Sequence, residues 1–155
     1  MSLISDISDL ITAKYPDATF ILSSEMKANL ASYNLDEITT AKPLIVLNNE
    51  LESEDEIQQN ANILQSTRVE IWVLAKCKDG VYTSDNDMNT DLEVLQTIIQ
   101  SIYGGLFRLG NVLLNAGEVS RFTRRPVFKV WNSVLNGWKG SARIKYNTTV
   151  NVCTS

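Results

Sequence analysis

The stretch that decides the fold is RVEIWVLAKCK, residues 68–78, in which apolar side chains alternate with polar or mixed ones. Successive side chains of an extended chain point to opposite faces, so Val69, Ile71 and Val73 share one face while Arg68 and Glu70 share the other. An apolar face needs a covering layer. The pattern therefore predicts a long strand, over residues 63–78, that packs beneath a helix.

Two amphipathic helices are predicted, one on each side of this strand in the chain. Residues 3–11 repeat apolar side chains at spacings of three and four, and the repeat stops before Tyr15-Pro16. The second helix is predicted over residues 92–106, with Leu109 as its furthest extent. Thr90 and Glu93 have the spacing of a capping box at its start.

The remaining apolar runs predict further strands. They lie at residues 18–22, 43–47, 111–116, 119–131 and 142–152, and a helical turn is predicted from 23 to 30. Pro43 leads a run that is apolar at every position, which predicts a strand buried on both faces. Asn136-Gly137 predicts a tight turn. The order predicts one α+β domain over residues 1–155, a two-layer sandwich of a mixed, mainly antiparallel sheet with two main helices on one face.

The composition excludes several classes of function. The chain has no histidine, which removes the usual general base and the commonest metal ligand, so we expect no enzyme and no cofactor. Cys77 and Cys153 lack the spacing of a metal site. Free thiols are favoured, with a single bridge between them left open. The N-terminus has no basic segment of a signal peptide, and no apolar run is long enough to span a membrane.

The net charge of −4 hides a division along the chain. Residues 1–100 carry 6 Lys or Arg against 17 Asp or Glu, a net charge of −11. Residues 101–155 carry 8 Lys or Arg against one acid, a net charge of +7. The two parts of the chain therefore have opposite character.

Two acidic segments are candidate sites, and each has a simpler interpretation. Asp85 to Asp91 resembles the start of a calcium loop, but it lacks the glycine and glutamate that an EF-hand needs, so N-capping of the following helix is favoured. The second segment, between Asn49 and Asp55 and continuing to Glu56, is predicted to be a solvated loop or bulge. It could dock a basic partner, and paired-carboxylate catalysis would need a cleft. Its acids are Glu50, Glu52, Glu54, Asp55 and Glu56.

One compact basic cluster, Arg121, Arg124 and Arg125, follows in the second half of the chain. Guanidinium groups suit carboxylate or phosphate partners. The sequence pI of about 4.8 argues against a large nucleic-acid footprint. Docking and charge protection of an edge strand both remain open. Trp138, beside the predicted turn, is expected to be an exposed contact residue.

The order of elements is similar to that of the small tail terminator and tail completion proteins of long-tailed bacteriophages. The matching features are the N-terminal helix (3–11), the Pro-led strand (43–47), a polar β-arm, the long strand (68–78), the long helix (92–109) and a closing strand (142–152). The resemblance covers nearly the whole chain and has no diagnostic motif. It implies a structural virion protein that is assembled in the host cytoplasm and forms a homo-oligomeric ring, such as a hexamer. The ring would contact tail tube and neck or connector proteins, with at most incidental contact to DNA.

The charge division supports a ring independently. Head-to-tail contacts join unlike surfaces of identical subunits, so each copy needs two complementary patches. We expect the acidic segment of one copy to meet the arginine cluster of the next. The alternative is a monomeric or dimeric α+β adaptor that binds another protein through the same charged patches.

Overall fold

The structure of the protein is a computed structural model that describes residues 3–23, 37–50, 52–57, 62–76, 85–109, 112–113, 121–130 and 135–149. Its helices are α1 (Leu3–Lys14) and α2 (Asp85–Leu106). Its strands are β1 (Thr19–Leu22), β2 (Leu44–Leu47), β3 (Ser53–Ile57), β4 (Asn62–Lys76), β5 (Val112–Leu113), β6 (Phe122–Val127) and β7 (Leu135–Thr149).

The sheet is built around an antiparallel ribbon of β4 and β7, which are 15 residues each. Each is long enough to hold two neighbours on its other side. β2 and β3 pair with different parts of β4, and β5 and β6 pair with different parts of β7. β1 adds to β2 as the one parallel pair among the seven strands of the described chain. This confirms the predicted mixed, mainly antiparallel sheet.

Both helices pack on the same face of the sheet. Ile7 and Ile11 of α1 join Ile99 and Ile102 of α2 in one buried cluster. The sheet residues of that cluster are Ile45, Leu47, Val69, Ile71, Val73, Ala75, Val112, Ala142, Ile144 and Tyr146. The alternation of residues 68–76 therefore has the predicted meaning, since its odd-numbered apolar side chains lie beneath helices. We call this side the helix face and the opposite side the open face.

A second, smaller cluster covers one end of the open face. Leu44 and Val46 of β2 and Leu74 of β4 are buried there, together with Ile38 and Val130 from segments outside the sheet. All four residues of β2 are buried, because alternate side chains enter the two clusters. This confirms the prediction that the Pro-led strand is covered on both faces.

Three local predictions were wrong. The acidic segment predicted as a loop contains β3, which pairs with β4; Ser53 Oγ and Thr67 Oγ1 lie 2.8 Å apart across that pair. Helix α2 begins at Asp85, so Thr90 lies inside the helix and does not cap it, and residues 85–91 are helical rather than a calcium loop.

The third wrong prediction is the Asn136-Gly137 turn, which is part of β7. A Cβ atom at Gly137 would overlap the carbonyl oxygen of Val73 on β4, so glycine allows a close approach of two strands. The chain turns earlier, at Lys129, whose φ of 49° lies in the left-handed region. Lys129 N donates to Asn136 Oδ1 at 2.9 Å, which ties that turn to the start of β7. The predicted helical turn after Ser23, both cysteines and the end of the closing strand lie outside the described residues.

Candidate functional site

An acidic edge strand is the first of two charged features of the sheet. All five residues of β3 are exposed, and Glu54, Asp55 and Glu56 form its middle. Glu50 and Glu52, which precede it, are also exposed. β3 pairs with β4 on one side, and no described strand pairs with its other side. Three of the five acids predicted to lie in a solvated segment therefore lie on a sheet edge that no described strand covers, and the other two precede it.

A basic edge strand is the second feature. β6 pairs with β7, and no strand in the described ranges pairs with its outer side. Arg121, just before β6, and Arg125 within it are exposed. Arg124 is half-buried, because its guanidinium carbon lies 4.4 Å from the ring centroid of Trp138.

Trp138 supports the sheet from within and is not the exposed residue that the sequence predicts, while its role as a subunit contact stays a prediction. It is half-buried, and its Nε1 donates a hydrogen bond to the carbonyl oxygen of Leu92 at 2.7 Å. This bond attaches β7 to α2. The indole ring of Trp138 also supports the guanidinium group of Arg124, which lies over it. The prediction was wrong because it placed Trp138 beside a turn, whereas the residue lies inside a paired strand.

The acidic and basic edges lie on opposite sides of the sheet. Two strands, β4 and β7, separate β3 from β6, which amounts to about 14 Å at ordinary strand spacing. The structure therefore does not bring the two predicted charge clusters together within one chain. It presents them as outward-facing edges of opposite charge.

The charges are also sorted by face. Glu54 and Glu56 lie opposite Ser66 and Leu64 of β4, positions that belong to the open face. Arg125 lies opposite Lys139 of β7 on the same face, and Arg121 shares it by strand periodicity. Asp55 and Arg124 project toward the helix face. Acidic and basic positions therefore occur on both faces: Glu54 and Glu56 share the open face with Arg125 and Arg121, and Asp55 shares the helix face with Arg124.

A groove of about 390 Å³ crosses the open face between β4 and β6. Its side chains include Arg68, Glu70, Thr123, Arg125, Lys139 and Ser141. Lys139 Nζ lies 3.0 Å from Glu70 Oε1 and 5.1 Å from the ring centroid of Trp72. The sequence placed Arg68 and Glu70 on one face, but the contribution of Lys139 depends on the pairing of β7 with β4.

Glu70 in this groove is held by Asn48, which directly follows β2, and by Lys139 of β7. Its Oε2 accepts a hydrogen bond from Asn48 Nδ2 at 2.9 Å, and Lys139 engages its other oxygen. Burial alone would raise the pKa of Glu70. The hydrogen bonds and the charge of Lys139 outweigh burial and lower the pKa below its ordinary value of 4.5. A carboxylate with this environment stabilises the sheet and is poorly suited to accept a proton at neutral pH.

No protein-family profile matches this chain, and no curated protein matches it. The family resemblance therefore stays a hypothesis. The structural evidence that bears on function is the geometry of the sheet and of its two charged edges.

Two further features are absent from the residues that the structure describes. No group of three or more His, Cys, Asp or Glu side chains there is arranged to hold a metal ion. None of the described helices is both long and apolar enough to cross a lipid bilayer.

Proposed function

We propose that this chain is a ring-forming structural virion protein that acts at the tail end or neck of a bacteriophage, where it joins tail tube and connector. The observation that carries the proposal is an acidic edge and a basic edge on opposite sides of one sheet, neither of which pairs on its outer side with another described strand. The order of elements, which resembles that of tail terminator and tail completion proteins, supplies the viral context.

Opposite edges of opposite charge favour head-to-tail assembly. A two-fold dimer through either edge would place like charges against each other, which is unfavourable. Contact between the acidic edge of one copy and the basic edge of the next removes that repulsion. Repetition of this contact gives a ring when the rotations between successive copies add up to a full turn. Such a ring leaves the helix layer and both strand ends of every copy for contacts with tail tube and neck proteins.

The proposal is tested by the mass and shape of the purified protein. We expect closed rings in negative-stain images and a mass well above the 17.3 kDa monomer by light scattering. Arg121→Glu with Arg125→Glu should return the protein to the monomer, since it makes both edges acidic. Arg124 is left unchanged because it stacks on Trp138.

A matched control reverses the same number of charges elsewhere. Lys42 and Arg108 are exposed and lie outside both edge strands. Lys42→Glu with Arg108→Glu should keep the ring. A wild-type chain that stays monomeric at high concentration would contradict the proposal and favour the adaptor alternative.

A further inference from the structure

We propose that neighbouring copies are joined by antiparallel backbone pairing of β3 of one copy with β6 of the next, so that the sheet continues across the subunit boundary. The proposal rests on the proposed ring and specifies its contact. The partner is a second copy of this chain. Charge complementarity, backbone hydrogen-bond direction and strand polarity each support it.

The backbone of β3 offers hydrogen-bonding groups outward at alternate residues. Arg68 N donates to Glu52 O at 3.4 Å, so the main-chain groups of Glu52 point toward β4. In an antiparallel pair, inward- and outward-pointing residues alternate along each strand. The main-chain N–H and C=O groups of Glu54 therefore point toward β4, whereas those of Asp55 and Ile57 point away from β4 to the outer edge.

The same alternation defines the free edge of β6. Asn48 N donates to Glu70 O, so the main chain of Glu70 points toward β2, and that of its neighbour Ile71 points toward β7. On β7, the main-chain N–H and C=O groups of Lys139 therefore point toward β6, where they pair with those of Arg125.

Arg124 and Phe122 therefore direct their main-chain groups outward, and so does Pro126. Proline has no N–H group to donate, and an outward position on an edge strand is where a sheet tolerates it.

Strand polarity makes the two edges compatible. β3 is antiparallel to β4, β4 to β7 and β7 to β6, so β3 and β6 run in opposite directions within one copy. A second copy in the same orientation therefore brings its β3 antiparallel to β6. Outward-pointing residues then meet outward-pointing residues, and the helices of both copies lie on the same side of the sheet.

One register satisfies both charge and hydrophobicity. With Asp55 opposite Arg124, Glu54 lies opposite Arg125 and Ile57 lies opposite Phe122. Ile57 is 77% exposed in the single chain. Phe122 is half-buried, and its ring stacks on Tyr103 with centroids 4.8 Å apart. The register therefore forms two acid–arginine pairs and covers the most exposed large apolar side chain of the described residues.

This register also sets a stagger between copies. Within one copy Glu54 is level with Ser66 of β4, and Arg125 is level with Lys139 of β7 and hence with Trp72 of β4. Ser66 of the next copy is thus level with Trp72, a shift of six residues. At about 3.3 Å per residue the shift is roughly 20 Å along the strands. A sheet that closes on itself requires such a stagger.

Disulfide cross-linking tests the register. In a background with Cys77→Ser and Cys153→Ser, Glu54→Cys with Arg125→Cys places the two thiols on a non-hydrogen-bonded pair, where Cα atoms are about 4.5 Å apart. The two positions lie on opposite edges of one chain, so a bond within a copy is excluded. We expect a ladder of linked dimers, trimers and higher species on mild oxidation.

The matched control is Glu56→Cys with Arg125→Cys, which removes the same charges but is shifted by two residues. We expect at least ten times less linked product from it than from Glu54→Cys with Arg125→Cys. Equal yields, or a larger yield from the control, would overturn the register. The proposed function would still stand if the wild-type protein forms rings. A monomeric wild-type protein, together with no ladder from the Glu54→Cys, Arg125→Cys protein, would overturn both proposals.

A second pair of variants tests backbone pairing separately from charge. Asp55→Asn removes the carboxylate and keeps the outward N–H, whereas Asp55→Pro removes both. We expect Asp55→Pro to raise the dissociation constant at least tenfold above that of Asp55→Asn, with circular dichroism unchanged. Equal association of the two variants would overturn strand pairing even if rings form.

Discussion

At the scale of single residues, Gly140 allows β7 to pass close beneath α2. A Cβ atom there would lie 2.8 Å from Tyr103 Cε2 and 2.9 Å from Ile99 Cδ1. Tyr103 has little freedom to move, because its hydroxyl donates to Val69 O at 3.1 Å and its ring stacks on Phe122. We expect Gly140→Ala to lower the free energy of unfolding by about 1–3 kcal/mol in urea denaturation.

Gly104 provides the control for this substitution. It is exposed in α2, and a Cβ atom there meets nothing within 4 Å. Gly104→Ala should leave stability unchanged or raise it by up to about 1 kcal/mol, since alanine favours helix. A Gly140→Ala protein as stable as wild type would show that α2 can shift away from β7 at no cost.

Glu70 gives the protein a pH-dependent contribution to stability. Its folded-state pKa is lowered, so this contribution is complete above the unfolded value of 4.5 and is lost as the pH falls through the folded-state pKa. We expect Glu70→Gln to cost about 1 kcal/mol at about pH 7 and less at about pH 3. Chemical denaturation of the wild-type and Glu70→Gln proteins at both pH values measures this difference in the free energy of unfolding. A difference that does not change with pH would mean that the charge of Glu70 contributes nothing.

At the scale of elements, Trp138 couples a strand to a helix. Its Nε1–H donates a hydrogen bond to the Leu92 carbonyl of α2, and its ring supports Arg124 on β6. We expect Trp138→Phe to lower the free energy of unfolding by about 0.5–1.5 kcal/mol, because the hydrogen bond between the indole and α2 is lost. Thermal unfolding followed by circular dichroism measures the loss. A variant with unchanged stability would show that the bond to α2 is replaced by water.

The elements differ in how far local sequence predicts them. The alternation of residues 68–76 and the helical spacing of α1 predict their elements well, because side-chain periodicity and burial agree there. The segment that contains β3 was predicted as a loop because of its run of acidic residues, and three of the five residues of β3 are acidic. It is extended because β4 continues past β2 and leaves backbone groups for a second neighbour. That cause lies outside the segment.

At the scale of the whole molecule, two variants with opposite charge inversions should restore assembly when they are mixed. Glu54→Lys with Glu56→Lys makes both edges basic, and Arg121→Glu with Arg125→Glu makes both acidic. We expect each variant alone to be monomeric and an equimolar mixture to assemble, since each edge then meets one of opposite charge. Light scattering of the separate and mixed samples measures this.

Salt dependence and a noncomplementary mixture serve as controls. Assembly of the mixture should weaken as salt rises from about 0.05 to 0.5 M, because exposed charges are screened. The noncomplementary mixture combines the Arg121→Glu, Arg125→Glu protein with the same protein carrying Lys42→Glu and Arg108→Glu as well; both members lack a basic edge, so this mixture should stay monomeric. A mixture of the two inverted variants that stays monomeric would contradict contact between the two edges.

The sequence by itself determined the fold class, the two helices, the buried β2 and the opposite charge of the two parts of the chain. These follow from periodicity and composition, which are local properties. Only the tertiary structure decided that the acids and arginines lie on opposite sheet edges, sorted by face, and that Trp138 and Lys139 support the sheet from within. Strand pairing between segments far apart in the chain sets those positions, and no local pattern encodes which edge of a sheet a strand will occupy.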